Sequence, residues 1–214
     1  MQAVFLLLLL AGASKGLDSI CDATQDVACY GALKGPVYLL LTRRTSVHEL
    51  QLYSGTKTVF AFRRSRTVFR NKFNTTSYLQ RWQFVPDNWT LIINPAERGD
   101  SETYRVYIYE STGRIVETNT VQLNIETPVS EVNLSVSCSA NGERRARCSS
   151  NGDSPQYNWI LDGRRLSEAE ADLGPDNQTL LLNVTGELTC SVRNHVSSHV
   201  SSANTSALLC SDLS

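Results

Sequence analysis

Cys148, Trp159 and Cys190 constrain this chain more than any other residues. The tryptophan follows the first cysteine by 11 residues, and the second cysteine follows the first by 42. Around them lie short stretches rich in aliphatic, aromatic and β-branched residues: "YNWILDG", "TLLLNV" and "LTCSVRN". Gly, Asn, Asp and Pro separate them, the punctuation of strands and turns. The chain has six cysteines: Cys21, Cys29, Cys138, Cys148, Cys190 and Cys210. An even count behind a secretory leader favours disulfides over metal or catalytic thiols. The last four permit three pairings.

The leader is "MQAVFLLLLLAGASKG". Its apolar run from Ala3 to Leu10 is too short to span a bilayer, and Ala11-Gly12-Ala13 offers a small-residue cleavage site. Residues 1–16 are therefore expected to be a signal peptide, although this one lacks a Lys or Arg at its start. No later run reaches 18 apolar residues, and the terminal "LLCSDLS" is too short and polar for a lipid-anchor signal. The expected location is extracellular: secreted as written, or on the external face of the plasma membrane if the anchor lies outside this chain. Six Asn-x-Ser/Thr acceptors, at Asn74, Asn88, Asn133, Asn177, Asn183 and Asn204, point to a glycoprotein.

A boundary falls at "NIETPVSEV", where Pro128 interrupts strand pairing. Residues 17–127 carry 13 Lys+Arg against 11 Asp+Glu, net +2, and residues 128–214 carry 6 against 10, net −4. Before the boundary, "VYLLL", "KTVFAF", "WTLIIN", "YRVYIY" and "VQLNI" also read as strands. Neither half sustains a helical period, and "LSEAEADLG" reads as a turn or a single helical turn. The expected fold is all-β, with two tandem sandwiches over residues 17–127 and 128–214.

The second half resembles an immunoglobulin domain. There a Cys on strand B and a Cys on strand F join the two sheets, and a Trp on strand C packs against the bridge. That resemblance favours Cys148–Cys190, with Cys138 on strand A and Cys210 on strand G as a second bridge, in a constant-like domain. The first half has the rhythm of a variable-type domain without its core disulfide. "GPVYLLL" places Leu41 at the strand B cysteine position, and "DSETYRV" places Val106 at the strand F position. Two apolar residues can fill the space of the missing bridge if their volume suits it. Cys21 and Cys29 would then clip strand A. Tyr104 takes the tyrosine-corner position. Asp100 begins the turn into strand F, and Arg81, 19 residues upstream, is placed to pair with it.

A cysteine-free variable-type domain before a constant-like domain with two disulfides resembles the ectodomains of the signalling lymphocytic activation molecule (SLAM) family and its lymphocyte adhesion relatives. The carrying residues are Leu41, Val106, Arg81, Asp100 and Tyr104, with "GDSPQYNWILDGRRL" and "LTCSVRNHVSSHVSS". The closest shape is that of the short, tail-less members, without their anchor. The resemblance implies adhesion or immune recognition through the exposed sheet of the first domain, with an immunoglobulin-type leukocyte receptor as partner, homophilic or heterophilic. If the product is soluble, it would act as a soluble ligand or decoy. Strand alternation turns Glu49, Gln51, Tyr53, Arg105, Tyr107 and Tyr109 outward if Leu50, Leu52, Tyr104, Val106 and Ile108 face the core.

Charge is a separate clue. From Leu50 to Pro86 there are seven cations and no Asp or Glu. "RRSRTVFRNK", from Arg63 and Arg64 to Lys72, maps to strands C′ and C″ and would attract an acidic partner. The alternative function is a ligand for glycosaminoglycan through that cluster, or for integrins through Arg98-Gly99-Asp100. An Asp held by Arg81 would not be free to bind an integrin metal. No Gly-x-Ser-x-Gly elbow, phosphate loop or metal-ligand spacing is present. His48, His195 and His199 read as surface residues. No catalytic residue, cofactor, metal or nucleic-acid partner is expected.

Overall fold

Short strands that bury alternate side chains need a second sheet to cover them. The computed structural model describes residues 20–69, 80–139, 142–167, 170–208 and 210. The expected signal peptide, Arg70, Lys72 and Asn74 lie outside the described residues. The first sandwich comprises β1 (Ile20–Asp22), β2 (Val27–Ala32), β3 (Val37–Leu40), β4 (Glu49–Ser54), β5 (Lys57–Arg63), β6 (Arg66–Phe69), β7 (Trp82–Val85), β8 (Thr90–Ile93), β9 (Glu102–Tyr109) and β10 (Ile115–Glu126). One of its sheets runs β1-β3-β8-β7 and the other β2-β10-β9-β4-β5-β6. The second sandwich comprises β11 (Ser130–Cys138), β12 (Arg144–Asn151), β13 (Gln156–Leu161), β14 (Arg164–Arg165), β15 (Ala171–Leu173), β16 (Thr179–Leu182), β17 (Glu187–Arg193) and β18 (Ser198–Asn204). Its sheets run β11-β12-β16-β15 and β14-β13-β17-β18.

The two sandwiches are held together differently. In the second, Cys148 on β12 and Cys190 on β17 are bonded across the sheets. Trp159 sits opposite Cys190 in the ladder, and its indole N–H donates to the Asn177 carbonyl at 2.9 Å. Cys138 bonds Cys210, which lies beyond β18 and a 3-10 turn at Thr205–Ala207, rather than on the last strand as expected. In the first sandwich, Leu41 and Val106 are both fully buried in one apolar cluster. Cys21 bonds Cys29. This is more than a clip within one strand. β1 belongs to the four-stranded sheet and β2 to the six-stranded sheet, so the bond ties the two sheets along their shared edge. The central bridge is replaced by apolar packing in the middle and a covalent tie at the side.

"LSEAEADLG" also departs from expectation. Ala171–Leu173 forms an edge strand pairing with Leu180–Leu182, so cross-strand pairing outweighs the local preference for a turn.

The second structural anchor of the first sandwich is polar. Arg81 donates to both Asp100 carboxylate oxygens, at 2.7 and 3.2 Å, and Asp100 has no exposed surface. Asp100 also accepts from the Trp82 indole at 3.3 Å and from the Glu97 backbone N–H at 2.8 Å. The Tyr104 hydroxyl donates to the Asp100 carbonyl at 2.8 Å, completing the corner into β9. A buried charge is tolerated when its lone pairs are filled like this, and removal of one member typically costs about 3–5 kcal/mol. Asp100→Asn is therefore expected to lower unfolding free energy by about 3–5 kcal/mol in denaturant melts, whereas Arg105→Ala on the exposed face should change it by less than about 0.5 kcal/mol. Equal effects would remove the corner's structural role.

Candidate recognition face

The outer face of the six-stranded sheet follows from the pleat. Leu50, Leu52, Tyr104, Val106 and Ile108 are fully buried, so their neighbours on β4 and β9 must face outward. Register then sets the rows. Tyr53 lies opposite Arg105, Gln51 opposite Tyr107, and Glu49 opposite Tyr109. On the far side of β4, Glu49 lies opposite Arg63 and Gln51 opposite Ala61. On the far side of β9, Tyr107 lies opposite Thr118 and Arg105 opposite Thr120.

These outward side chains are ordered by one another. Arg63 pairs with Glu49 at 3.1 Å, the Gln51 amide donates to Glu49, and the Tyr53 hydroxyl donates to Gln51 at 2.6 Å. Tyr53 and Tyr107 meet edge to face, with centroids 5.3 Å apart. Partial burial, then the nearby Tyr53 and Glu49, push the Tyr109 phenol up, so it remains a neutral hydrogen-bonding group at physiological pH. A rigid aromatic patch loses little side-chain entropy on binding, and Tyr and Arg are enriched at interface hot spots.

The rim beside this patch is basic. β5 and β6 are joined by a two-residue turn in which Arg64 and Ser65 have φ of 48° and 59°. Both central residues at positive φ match the type I′ hairpin, usually built with Asn-Gly. Here the turn carries a guanidinium instead of a glycine. Arg63, Arg64 and Arg66 are exposed around a shallow cleft of about 470 Å³, which Glu49, Gln51 and Val68 also line. Glu49 offsets part of this charge through Arg63. Arg64 and Arg66 have no carboxylate partner among the described residues.

Arg98-Gly99-Asp100 is not part of the face. It forms a single 3-10 turn between β8 and β9. Asp100 is enclosed as described above and cannot reach a receptor metal. Arg98 turns toward the second sandwich, donating to the Ile125 carbonyl at 2.9 Å and the Thr127 hydroxyl at 2.6 Å and pairing with Asp153. The integrin reading fails on this geometry.

His195 is likewise not the plain surface residue expected. It stacks on Tyr30 at 3.7 Å and meets the Glu126 carboxylate at 2.8 Å, both in the first sandwich. Asn194 donates to the Thr127 carbonyl at 2.8 Å and the Asp153 carbonyl at 3.0 Å. Gly152 sits beneath the connecting segment at φ 113°, where an added Cβ would lie 2.8 Å from the Val129 Cα. Pairing across a boundary leaves no periodic signal in sequence, so these joint residues were illegible there. Among the described residues, no group of three or more His, Cys, Asp or Glu side chains is placed to hold a metal ion. No described helix is long and apolar enough to cross a membrane.

No protein-family model matches the chain, and no curated protein sequence does either. Solved structures do. Murine CEACAM1b aligns with a TM-score of 0.66 at 18% identity, covering 84% of this chain and 97% of that one. The CD2-binding domain of CD58 (lymphocyte function-associated antigen 3) aligns at 0.64 and 15%, covering 83% and 96%. Bovine butyrophilin aligns at 0.56 and 16%, covering 83% and 94%. Together with the sheets described above, they establish an all-β fold of two immunoglobulin-like sandwiches. At 15–18% identity these likenesses show the fold, and they do not single out the SLAM family.

The tyrosine patch and the basic rim are separable by mutation. The double variant Arg63→Glu, Arg64→Glu is expected to elute from heparin at lower salt than the parent and to keep its melting temperature within a few degrees, because exposed pairs contribute about 0–1 kcal/mol. Unchanged heparin retention would remove the rim as a polyanion contact.

Proposed function

We propose that this chain is an extracellular recognition protein that engages an immunoglobulin-type receptor on leukocytes through the outer face of its six-stranded sheet. It is a SLAM-like adhesion module that acts as a soluble ligand or decoy where it is unanchored. Glu49, Gln51, Tyr53, Arg105, Tyr107 and Tyr109 form the contact, with Arg63 and Arg64 at its edge. The carrying observation is where the sugars go. Five glycosylation acceptors lie within the described residues, and none is on the six-stranded sheet. Asn88 is in the β7–β8 turn, Asn133 on β11, Asn177 between β15 and β16, Asn183 just after β16, and Asn204 at the end of β18. Bulky hydrated glycans at these five positions would therefore lie off the six-stranded sheet and leave the tyrosine face open.

An open face that is ordered, aromatic and basic at one edge suits a partner burying about 800 Å² per side. The basic rim favours a partner whose facing sheet is acidic, since charge complementarity raises the encounter rate and rejects like-charged surfaces. The CD58 structure, named for binding CD2, gives a precedent for recognition on this fold. A sulfated polyanion on the Arg63 to Lys72 segment is the competing reading, favoured by the exposed Arg64 and Arg66.

The test is capture of leukocyte surface receptors by the clustered protein, with Tyr107→Ala and Tyr109→Ala as variants. Each tyrosine variant is expected to weaken capture of one immunoglobulin-type receptor at least tenfold and leave heparin retention unchanged. Normal receptor capture by both variants would sink the sheet-face reading. Capture of sulfated glycans alone, lost at raised salt, would transfer the function to the basic rim.

A further inference from the structure

The second sandwich has its own open sheet face, on β14-β13-β17-β18, and one part of it is chemically unusual. Gln156 and Asn158 on β13 point outward, as do Ser191 and Arg193 on β17, because the alternate residues Trp159 and Leu161 on β13 and Cys190 and Val192 on β17 are buried. The register sets Gln156 opposite Arg193 and Asn158 opposite Ser191. On the other side of β13, Arg165 lies opposite Ile160. Gln156, Asn158, Arg165, Ser191 and Arg193, with Tyr157, line a cleft of about 240 Å³.

Two facts separate this cleft from an ordinary solvated face. First, its two guanidiniums approach from opposite strands, and neither has a carboxylate partner among the described residues. The adjacent Arg164 is neutralised by Glu170 at 2.8 Å, so the β13–β14 turn supplies one cation with a carboxylate partner and one without a partner among the described residues. The acid that shares the outward side of β17, Glu187, lies at the other end of that strand, opposite Asn204. Second, none of the glycosylation acceptors falls on β13, β14 or β17, and Asn204 on β18 lies opposite Glu187, at the other end of the ladder from Arg193, so the cleft stays open.

Unpaired guanidiniums in a concave site favour a carboxylate or sulfate, which they bind through paired N–H donors. The neutral groups refine the class. Two side-chain amides and a hydroxyl offer both donors and acceptors, the complement of sugar hydroxyls. The volume falls below the roughly 300–1,000 Å³ of drug-sized sites, which suits a single residue of a glycan rather than a peptide strand. We propose that this cleft binds one anionic sugar residue, carrying a carboxylate or a sulfate, at the end of a glycan chain. Arg165 and Arg193 would hold the acid group, and Gln156, Asn158 and Ser191 the ring hydroxyls. This site is independent of the tyrosine face and does not need the first-domain reading to hold.

Ligand-observed saturation-transfer NMR on the intact glycoprotein tests it, with sialyllactose and a sulfated disaccharide as the two anionic probes and lactose as the neutral one. At least one anionic probe is expected to show transfer and lactose none, and the two probes tell carboxylate from sulfate. Arg165→Ala and Arg193→Ala should each weaken the response at least tenfold, as should a rise in salt to several tenths molar. Both arginines are exposed, so the fold should survive. Arg145→Ala, an exposed arginine on β12 in the other sheet of the same sandwich, should bind as the parent does. Absence of transfer from both anionic sugars, or equal transfer with the Arg165 and Arg193 variants, would overturn the proposal. Binding of a polyglutamate peptide in place of either sugar would do so too, and would assign the cleft to an acidic protein segment.

Discussion

The buried pair of Arg81 and Asp100 is the interaction on which the first sandwich turns. Three elements meet there: the start of β7, the 3-10 turn, and the entry into β9. Desolvating two charges is expensive, and the cost is offset only because each Asp100 oxygen is filled by hydrogen bonds. Glu97 adds a partly exposed contact to Arg81 at 3.1 Å, extending the pair toward solvent. The same turn aims Arg98 at Asp153 in the second sandwich, and hydrogen bonds from the Thr127 backbone and from Arg98 hold that carboxyl below its usual range. One short turn therefore closes the first domain and contributes to its joint with the second.

Two answers to one problem stand side by side in this chain. A sandwich must stop its sheets from sliding apart. The second does so with a central disulfide packed against Trp159, and with Cys138–Cys210 beside it. The first uses buried Leu41 and Val106 in the middle and Cys21–Cys29 at the edge. The edge position leaves the centre of β4 and β9 free of covalent constraint but surrounded by fully buried side chains. A firm floor of this kind holds Tyr53, Tyr107 and Gln51 in fixed relation, which lowers the entropy lost when a partner binds.

What could be read from sequence was what periodicity and spacing carry. Outward Glu49, Gln51 and Tyr53 followed from alternation, and the structure places them so. Asp100 and Arg81 could be paired because their positions matched a known corner. The misses have a common physical cause. Whether Cys21 and Cys29 lie in one sheet or two depends on where a turn sends β1, and three-residue strands carry no usable period. The Ala171–Leu173 strand exists through its partners Leu180–Leu182, not through its own propensity. His195 and Arg98 act across a domain boundary, where local sequence is silent. The Arg64-Ser65 turn carries no sequence signal because type I′ turns are recognised by Asn-Gly, and here ladder pairing of Arg63 with Arg66 imposes the conformation on ordinary residues.

The proposed recognition through the tyrosine face depends on that face being open, and openness can be reversed by one residue. Thr118 is exposed on β10, directly opposite Tyr107, and Thr120 follows two positions later. Thr118→Asn completes an Asn-x-Thr acceptor in the centre of the face without touching Tyr107, Tyr109 or the basic rim. Receptor capture should be measured with this glycoform, with occupancy of the new acceptor verified by mass. The account requires at least a tenfold loss of capture with an unchanged melting temperature. Undiminished capture by a protein that carries the new glycan would contradict it.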